Sequence, residues 1–123
     1  MNKDYTYALV ESEKGKLLVL QELVDALWEK FGLTQKNIIK TFKGKELEMI
    51  TCQHPLYDRE SLVILGDHVT ADAGTGCVHT APGFGADDFF VGQKYGLPAY
   101  CNVDEHGCMM ERLWRMACWS VCR

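Results

Sequence analysis

Two short β-prone runs near the N-terminus constrain the fold of this chain most strongly. Residues 5–10 and 16–20 favour extended backbone, and the short segment that separates them ends in Gly15. A glycine can take the positive φ that a tight connection requires, because it has no Cβ to collide with the backbone. The pattern therefore predicts a β-hairpin.

An amphipathic helix is predicted directly after the hairpin. Apolar residues recur at intervals of three and four between Leu20 and Phe31, which places them on one stripe of a helix. Gly32 follows and can end the helix in a left-handed conformation. The apolar stripe is expected to cover one face of a sheet.

The rest of the chain alternates further strand patterns with one helix pattern. We expect a second hairpin from residues 37–42 and 46–52, strands at residues 62–65, 68–70 and 77–80, and a short helix at residues 86–95. This mixture predicts the α+β class, with a curved or barrel-like, mostly antiparallel β-sheet and two or three packed helices.

The composition favours a single compact domain with its own core. A chain of 123 residues with 47% hydrophobic residues is too short for two domains of ordinary size. The formal net charge is -4, so any contact with nucleic acid is expected to be local. No apolar stretch approaches the roughly 20 residues of a membrane helix, and no signal peptide is evident, so we expect a cytoplasmic protein.

Six cysteines raise a disulfide interpretation and a metal interpretation, and neither is favoured. Without a secretory signal, the thiols are expected to stay reduced. A zinc site could use Cys52 with His54, or Cys101 with His106 and Cys108, but there is no paired Cys-x-x-Cys to build a closed tetrahedral site. We therefore predict no metal site.

Residues 74–88 hold the densest group of residues suited to a functional site. Their glycines let the backbone approach a ligand closely, and they also contain His79 and the carboxylates of Asp87 and Asp88. Each feature has a structural alternative: a tight turn for the glycines, a half-buried strand position for His79, and helix capping for the two aspartates. The residues alone leave both interpretations open.

The same region resembles the editing-domain signature of bacterial isoleucyl-tRNA synthetases. The resemblance is densest over residues 68–89, HVTADAGTGCVHTAPGFGADDF, and continues through residues 91–98, VGQKYGLP. Residues 54–59 and 63–67 resemble that family as well, whereas the related valyl enzymes carry lysine at the position of His79. The resemblance implies a partial editing domain at residues 1–107, with the class I synthetase editing-domain fold, and an atypical tail at residues 108–123.

The function implied by the resemblance is hydrolytic editing, before or after transfer to tRNA. In such a double sieve, the synthetic site rejects amino acids larger than isoleucine, and a separate domain hydrolyses the smaller products. The implied enzyme is an aminoacyl-tRNA deacylase that needs no cofactor. Its implied partners are the 3′ end of tRNA(Ile) carrying valine, valyl-adenylate and the remainder of the synthetase.

The resemblance also assigns roles to individual residues. Asp88 matches the family's essential editing aspartate, which is expected to pair with the α-ammonium group of the mischarged valine. His79 matches a histidine that lines the amino-acid pocket, where its bulk is expected to exclude the extra methylene of isoleucine. Asp87 is expected only to start a helix. The expected substrate-binding residues near the terminal adenosine are Thr75, Gly76, Ala81 and Pro82.

The sequence departs from the family in two respects. The threonine-rich stretch that forms one wall of the editing pocket does not precede the first hairpin, and the His-Ile-Gly-His and Lys-Met-Ser-Lys-Ser signatures of amino-acid activation are absent. Three alternatives to a deacylase of the isoleucyl enzyme stay open. They are a non-catalytic module that binds an aminoacyl-adenosine or tRNA 3′ end, an editing domain of a valyl or leucyl synthetase, and a metal-dependent hydrolase using His79 and Asp88.

Overall fold

The computed structural model describes residues 1–55, 58–72, 74–101 and 103–108. It divides into two compact units, of which the first comprises Met1–His79 and the second begins at Thr80. Each unit is described by itself. Most of the predicted atypical tail, from residue 109 onward, lies outside the described residues.

A three-stranded antiparallel sheet forms the centre of the first unit. Its strands are β1 (Thr6–Ser12), β2 (Gly15–Leu20) and β3 (Asn37–Lys43), in the order β2-β1-β3. The predicted hairpin between β1 and β2 is confirmed. Ser12 pairs with Gly15 at its tip, and Gly15 has a φ of 112°. The Ser12 hydroxyl donates a hydrogen bond to the Gly15 carbonyl over 2.8 Å and so closes the turn.

The predicted second hairpin is wrong, because β3 pairs with β1 instead of with the segment that follows it. Gly44–Glu46 form a 3₁₀ turn after β3, and the Lys43 N–H donates to the Glu46 carboxylate over 2.6 Å. Leu47 is buried in the core, and Met49 is exposed with a positive φ of 65°, which is incompatible with a regular strand. The apolar alternation therefore reflects a turn with one buried residue.

The remaining described strands form a separate two-stranded antiparallel sheet, β4 (Thr51–Gln53) and β5 (Glu60–Leu62). Only Leu62 of the strand predicted at residues 62–65 is in a strand, and the strands predicted at residues 68–70 and 77–80 do not form. Apolar side chains in these segments pack from irregular backbone: Ile64 and Val69 are buried, and Cys77 packs against the core. Hydrophobic runs alone do not distinguish such loops from strands.

Helix α1 (Val24–Phe31) covers one face of the three-stranded sheet, as predicted. It begins later than expected, because Leu20 completes β2 and a 3₁₀ turn at Gln21–Leu23 intervenes. Gly32 ends the helix with a φ of 64°. The core on this face consists of buried residues from the helix, the sheet and the following loop: Ala8, Val10, Val19, Val24, Leu27, Trp28 and Leu33.

The opposite face of the sheet is also covered. Tyr7, Leu20 and Leu47 form a second buried cluster there. Because successive side chains of a strand point to opposite faces, Ala8 and Val10 contact the helix side, whereas Tyr7 points to this second cluster. The central strand β1 is therefore buried on both faces.

Helix α2 (Ala86–Lys94) lies in the second unit, and its predicted position is confirmed. The chain leaves it through Gly96, which has a φ of 67°. The mixed α+β class with antiparallel sheets and two helices is thus confirmed, although the described strands form two open sheets rather than a closed barrel. Neither helix in the described part of the chain has the length and apolar character to cross a membrane.

Candidate functional site

The glycine loop that the sequence singles out is bound to the central sheet of the first unit. Gly74 and Gly76 both have a φ of 75°, in the left-handed region that favours glycine. Between them, the Thr75 carbonyl accepts a hydrogen bond of 2.9 Å from the Leu20 N–H at the end of β2. The loop conformation therefore depends on both glycines and on the last residue of β2.

Gly76 is the most tightly enclosed residue of this loop. Its carbonyl accepts a hydrogen bond of 2.8 Å from the Tyr7 hydroxyl. A Cβ atom at this position would lie 2.7 Å from the Cβ of Leu20, closer than two carbons can approach without a shift. A glycine is thus required here for two reasons, its positive φ and the lack of space.

The Thr75 side chain closes the same loop locally. Its hydroxyl accepts from the Cys77 N–H and donates to the Cys77 carbonyl, both over 3.3 Å. Burial raises the pKa of the Cys77 thiol, which therefore stays protonated near neutral pH and is a poor nucleophile. The loop consequently offers shape and polar backbone groups rather than a reactive thiol.

His79 is the last residue of the first unit, and its side chain is exposed. The structural alternative of a half-buried strand position is wrong for this residue, because residues 77–80 form no strand. An exposed imidazole remains accessible to a ligand. Its predicted role in measuring the amino-acid side chain stays a prediction.

In the second unit, Ala81 and Pro82 begin a tight turn that leads into helix α2. The Phe84 N–H donates to the Ala81 carbonyl over 2.9 Å. Gly83 lies against the backbone of Tyr100, where an added Cβ would overlap the carbonyl oxygen. A Cβ at Gly92 of α2 would approach the Cγ of Pro82 to 2.6 Å. This turn is therefore held tightly between α2 and the segment around Tyr100.

Asp88 joins that turn to the start of α2. It is half-buried in the first turn of the helix, and its Oδ2 accepts a hydrogen bond of 3.0 Å from the Ala81 N–H. Negative charge is favourable here, because the N–H groups of the first turn give the helix a positive end. Asp87, its neighbour, is exposed. The structure thus gives the carboxylate of Asp88 a defined position and leaves it partly accessible to solvent.

The structure brings the predicted site residues together in two sets. Ala81, Pro82 and Asp88 form one set in the second unit. Thr75 and Gly76 belong to the first unit, which ends at His79. Neither His79 nor Asp88 is sealed in a dry core.

Sequence reasoning missed the residues that support the glycine loop. Tyr7 and Leu20 hold Gly76 and Thr75, respectively, from β1 and β2. Tyr7 precedes Gly76 by 69 positions, so no local pattern could relate them. The only available signal was that Tyr7 and Leu20 lie in predicted strands, which does not specify a contact with the loop.

Four of the six cysteines, and both histidines of the suggested zinc sites, lie among the described residues. Cys52, Cys77, Cys101 and Cys108 are free thiols. Across the described ranges, no group of three or more His, Cys, Asp or Glu side chains is arranged to hold a metal ion. This applies to Cys101, His106 and Cys108, which the sequence offered as a zinc set.

Sequence comparison identifies the class of protein as the aminoacyl-tRNA ligases. The chain is 52% identical over 111 residues to isoleucine–tRNA ligase of Geobacillus thermodenitrificans, which covers 90% of this chain. It is 51% identical over 107 residues to isoleucine–tRNA ligase 1 of Oceanobacillus iheyensis, and 50% identical over 109 residues to isoleucine–tRNA ligase of Bacillus subtilis, covering 87% and 89% of this chain. No family model matches the chain.

The chain belongs to the isoleucine–tRNA ligase family. It spans about 12% of the length of each of these relatives, so it corresponds to one segment of such an enzyme. The family resemblance inferred from residues 68–98 is thereby confirmed.

Proposed function

We propose that this chain is an editing module that hydrolyses the ester between valine and tRNA(Ile), and that it also accepts valyl-adenylate. The observation that carries the proposal is the half-buried carboxylate of Asp88, held at the start of α2 by the Ala81 N–H. Membership of the isoleucine–tRNA ligase family supports it. The partners are the 3′ end of the tRNA and the remainder of the synthetase.

Asp88 is assigned to the α-ammonium group of the bound valine. A carboxylate has about four acceptor positions, so the hydrogen bond from Ala81 is compatible with a second, charged donor. Pairing of an ammonium group with a carboxylate is a strong, charge-assisted contact. Because the helix start and the Ala81 N–H already orient this carboxylate, little further ordering is needed when the substrate binds.

His79 is assigned to the side chain of the amino acid. Its exposed imidazole would contact the valine side chain and leave no space for the extra methylene of isoleucine. Size exclusion is needed because a site that merely binds valine would also remove correctly attached isoleucine. We assign binding of the terminal adenosine to four residues, Thr75, Gly76, Ala81 and Pro82.

The reaction is hydrolysis of the aminoacyl ester. A water molecule attacks the carbonyl carbon, the bond from that carbon to the ribose oxygen breaks, and the ribose oxygen takes up a proton. Free valine leaves with the water oxygen in its carboxylate. A neighbouring hydroxyl of the terminal ribose assists by orienting the water, and Asp88 contributes by fixing the substrate.

A charge-removing variant tests the assignment of Asp88. Asp88→Asn keeps an oxygen that can accept from Ala81 but loses the charge that pairs with the ammonium group. Release of valine from valyl-tRNA(Ile) should fall by roughly 10-fold to 100-fold, the effect of losing a hydrogen bond to a charged group. The wild-type chain should leave isoleucyl-tRNA(Ile) intact.

Asp87→Asn is the matched control, because Asp87 carries the same charge in the same helical turn but is exposed. Its rate should stay within about twofold of wild type, as surface charges contribute little. Binding of a non-hydrolysable valyl-adenosine analogue without any release of valine would replace the deacylase with a binding module. Loss of activity with a chelator would instead favour a metal-dependent hydrolase.

A further inference from the structure

Tyr7 is a fully buried tyrosine whose hydroxyl is enclosed by polar partners. Its side chain is 0% exposed, and it lies in the central strand β1. The hydroxyl donates to the Gly76 carbonyl over 2.8 Å and accepts from the Asn2 N–H over 2.9 Å. Burial of a hydroxyl without hydrogen-bond partners costs free energy. The two hydrogen bonds therefore define the positions of the Tyr7 hydroxyl and the Gly76 carbonyl.

Asn2, whose N–H donates to this hydroxyl, is itself held in place by hydrogen bonds. Asn2 is buried, its side-chain amide donates to the Val69 carbonyl over 2.9 Å, and its side-chain oxygen accepts from the Asp4 N–H over 3.1 Å. Burial raises the pKa of Tyr7, so the hydroxyl stays protonated and able to donate near neutral pH. The hydrogen bond to Gly76 is therefore present under physiological conditions.

The hydroxyl acts on a loop that has a second attachment one residue earlier. Leu20 N–H holds the Thr75 carbonyl over 2.9 Å, and Tyr7 holds the Gly76 carbonyl. Two consecutive peptide planes are thus oriented by β2 and β1, respectively. Without the Tyr7 hydroxyl, the Gly76 carbonyl would lose this donor at a buried position, and the same peptide plane would keep only the longer hydrogen bond of 3.3 Å from the Cys77 N–H to the Thr75 hydroxyl.

We propose that Tyr7 is a positioning residue for the editing reaction: through the Gly76 carbonyl, it sets the backbone of the loop at residues 74–77 that receives the aminoacyl-adenosine end. This proposal rests on the proposed function. Tyr7 itself contacts no substrate, because it is fully buried beneath the loop. Loss of the Tyr7 hydroxyl should therefore weaken substrate binding and leave the carboxylate of Asp88, in the second unit, unchanged.

Tyr7→Phe tests this role, because it removes one oxygen and keeps the buried ring. The dissociation constant of a non-hydrolysable valyl-adenosine analogue should rise roughly threefold to tenfold, the range expected for one neutral hydrogen bond. KM for valyl-tRNA(Ile) should rise by the same factor, while kcat at saturating substrate should change by less than about twofold. Analogue titration and steady-state deacylation of the 123-residue chain supply these values.

Two control variants separate positioning from general destabilisation. Tyr5→Phe also removes a tyrosine hydroxyl, from a residue that packs on the same cluster. Val19→Ala destabilises the opposite face of the sheet, because the Val19 side chain belongs to the buried cluster on the side of helix α1. Both should bind the analogue within about twofold of wild type, although Val19→Ala unfolds at lower denaturant concentration.

The outcomes distinguish this proposal from the proposed function. If the wild-type chain binds the analogue and Tyr7→Phe binds it equally well, the role of Tyr7 is overturned but the proposed function is not. The same conclusion follows if Val19→Ala loses as much binding as Tyr7→Phe. A wild-type chain that neither binds the analogue nor releases valine overturns the proposed function, and the role of Tyr7 with it.

Discussion

Gly74 and Gly76 lie two positions apart but differ in how strictly each position requires glycine. Both have a φ of 75°, so both positions disfavour other L-amino acids to the same degree. Their surroundings differ. No atom of the described residues lies within 4 Å of a Cβ added at Gly74, whereas one added at Gly76 would lie 2.7 Å from the Cβ of Leu20. Gly76 is therefore restricted by packing as well as by backbone conformation.

The two glycines form a matched pair for mutagenesis. Gly74→Ala should lower the free energy of unfolding by about 1 kcal/mol, through the positive φ alone. Gly76→Ala should lower it by about 2 to 4 kcal/mol, because the contact with Leu20 adds the effect of overpacking. Urea unfolding of the two variants measures the difference. Equal losses would mean that Leu20 moves aside at no cost.

At the residue scale, the sequence singled out residues of the candidate site but missed those that support its glycine loop. The glycines, His79 and Asp88 stand out because their chemistry is unusual within a few residues. Tyr7 does not stand out, since a tyrosine in a strand is ordinary and its partner Gly76 is 69 positions away. Contacts of that separation depend on the tertiary fold, which the local pattern does not contain.

Helix α1 is the element whose sequence pattern most directly matches its packing. Its apolar stripe faces the sheet, with Val24, Leu27 and Trp28 buried. The Trp28 indole N–H also reaches the Gln35 carbonyl over 2.6 Å, which ties the helix to the chain that leads into β3. The opposite side of the helix is open to solvent, and Phe31, at the C-terminal end of the apolar stripe, is exposed as well.

Truncation of one buried and one exposed residue of the apolar stripe of α1 tests this packing. Leu27 is 7% exposed and Phe31 is 42% exposed. Leu27→Ala should destabilise the fold by about 2 to 4 kcal/mol, because it leaves a cavity between helix and sheet. Phe31→Ala, although it removes more atoms, should cost about 1 kcal/mol or less. A larger effect at Phe31, measured by thermal or urea unfolding, would contradict the packing of α1 on the sheet.

Local and non-local pairing explain which strands could be predicted. The β1–β2 hairpin and both helices follow from residues within about 20 positions of one another, and all three are confirmed. The partner of β3 is β1, and α1 lies between them in the chain. The second hairpin was predicted from two segments that follow each other in the chain, and this prediction was wrong. The predicted strands at residues 68–70 and 77–80 failed because loops also bury apolar side chains.

At the scale of the whole molecule, the proposed function assigns roles to residues of both compact units. His79 ends the first unit and Asp88 belongs to the second. The proposed reaction requires that a single aminoacyl end contacts both residues. The ammonium group of its amino acid pairs with Asp88, and the side chain of its amino acid contacts His79. This requirement concerns the ligand and can be measured directly.

The most direct test follows the side-chain NMR signals of His79 and Asp88 while a non-hydrolysable valyl-adenosine analogue is added. If both residues serve one substrate, the two signals shift with the same dissociation constant, and the isoleucyl analogue shifts neither. A shift of only one signal, two different dissociation constants, or equal responses to both analogues would contradict the proposed editing function.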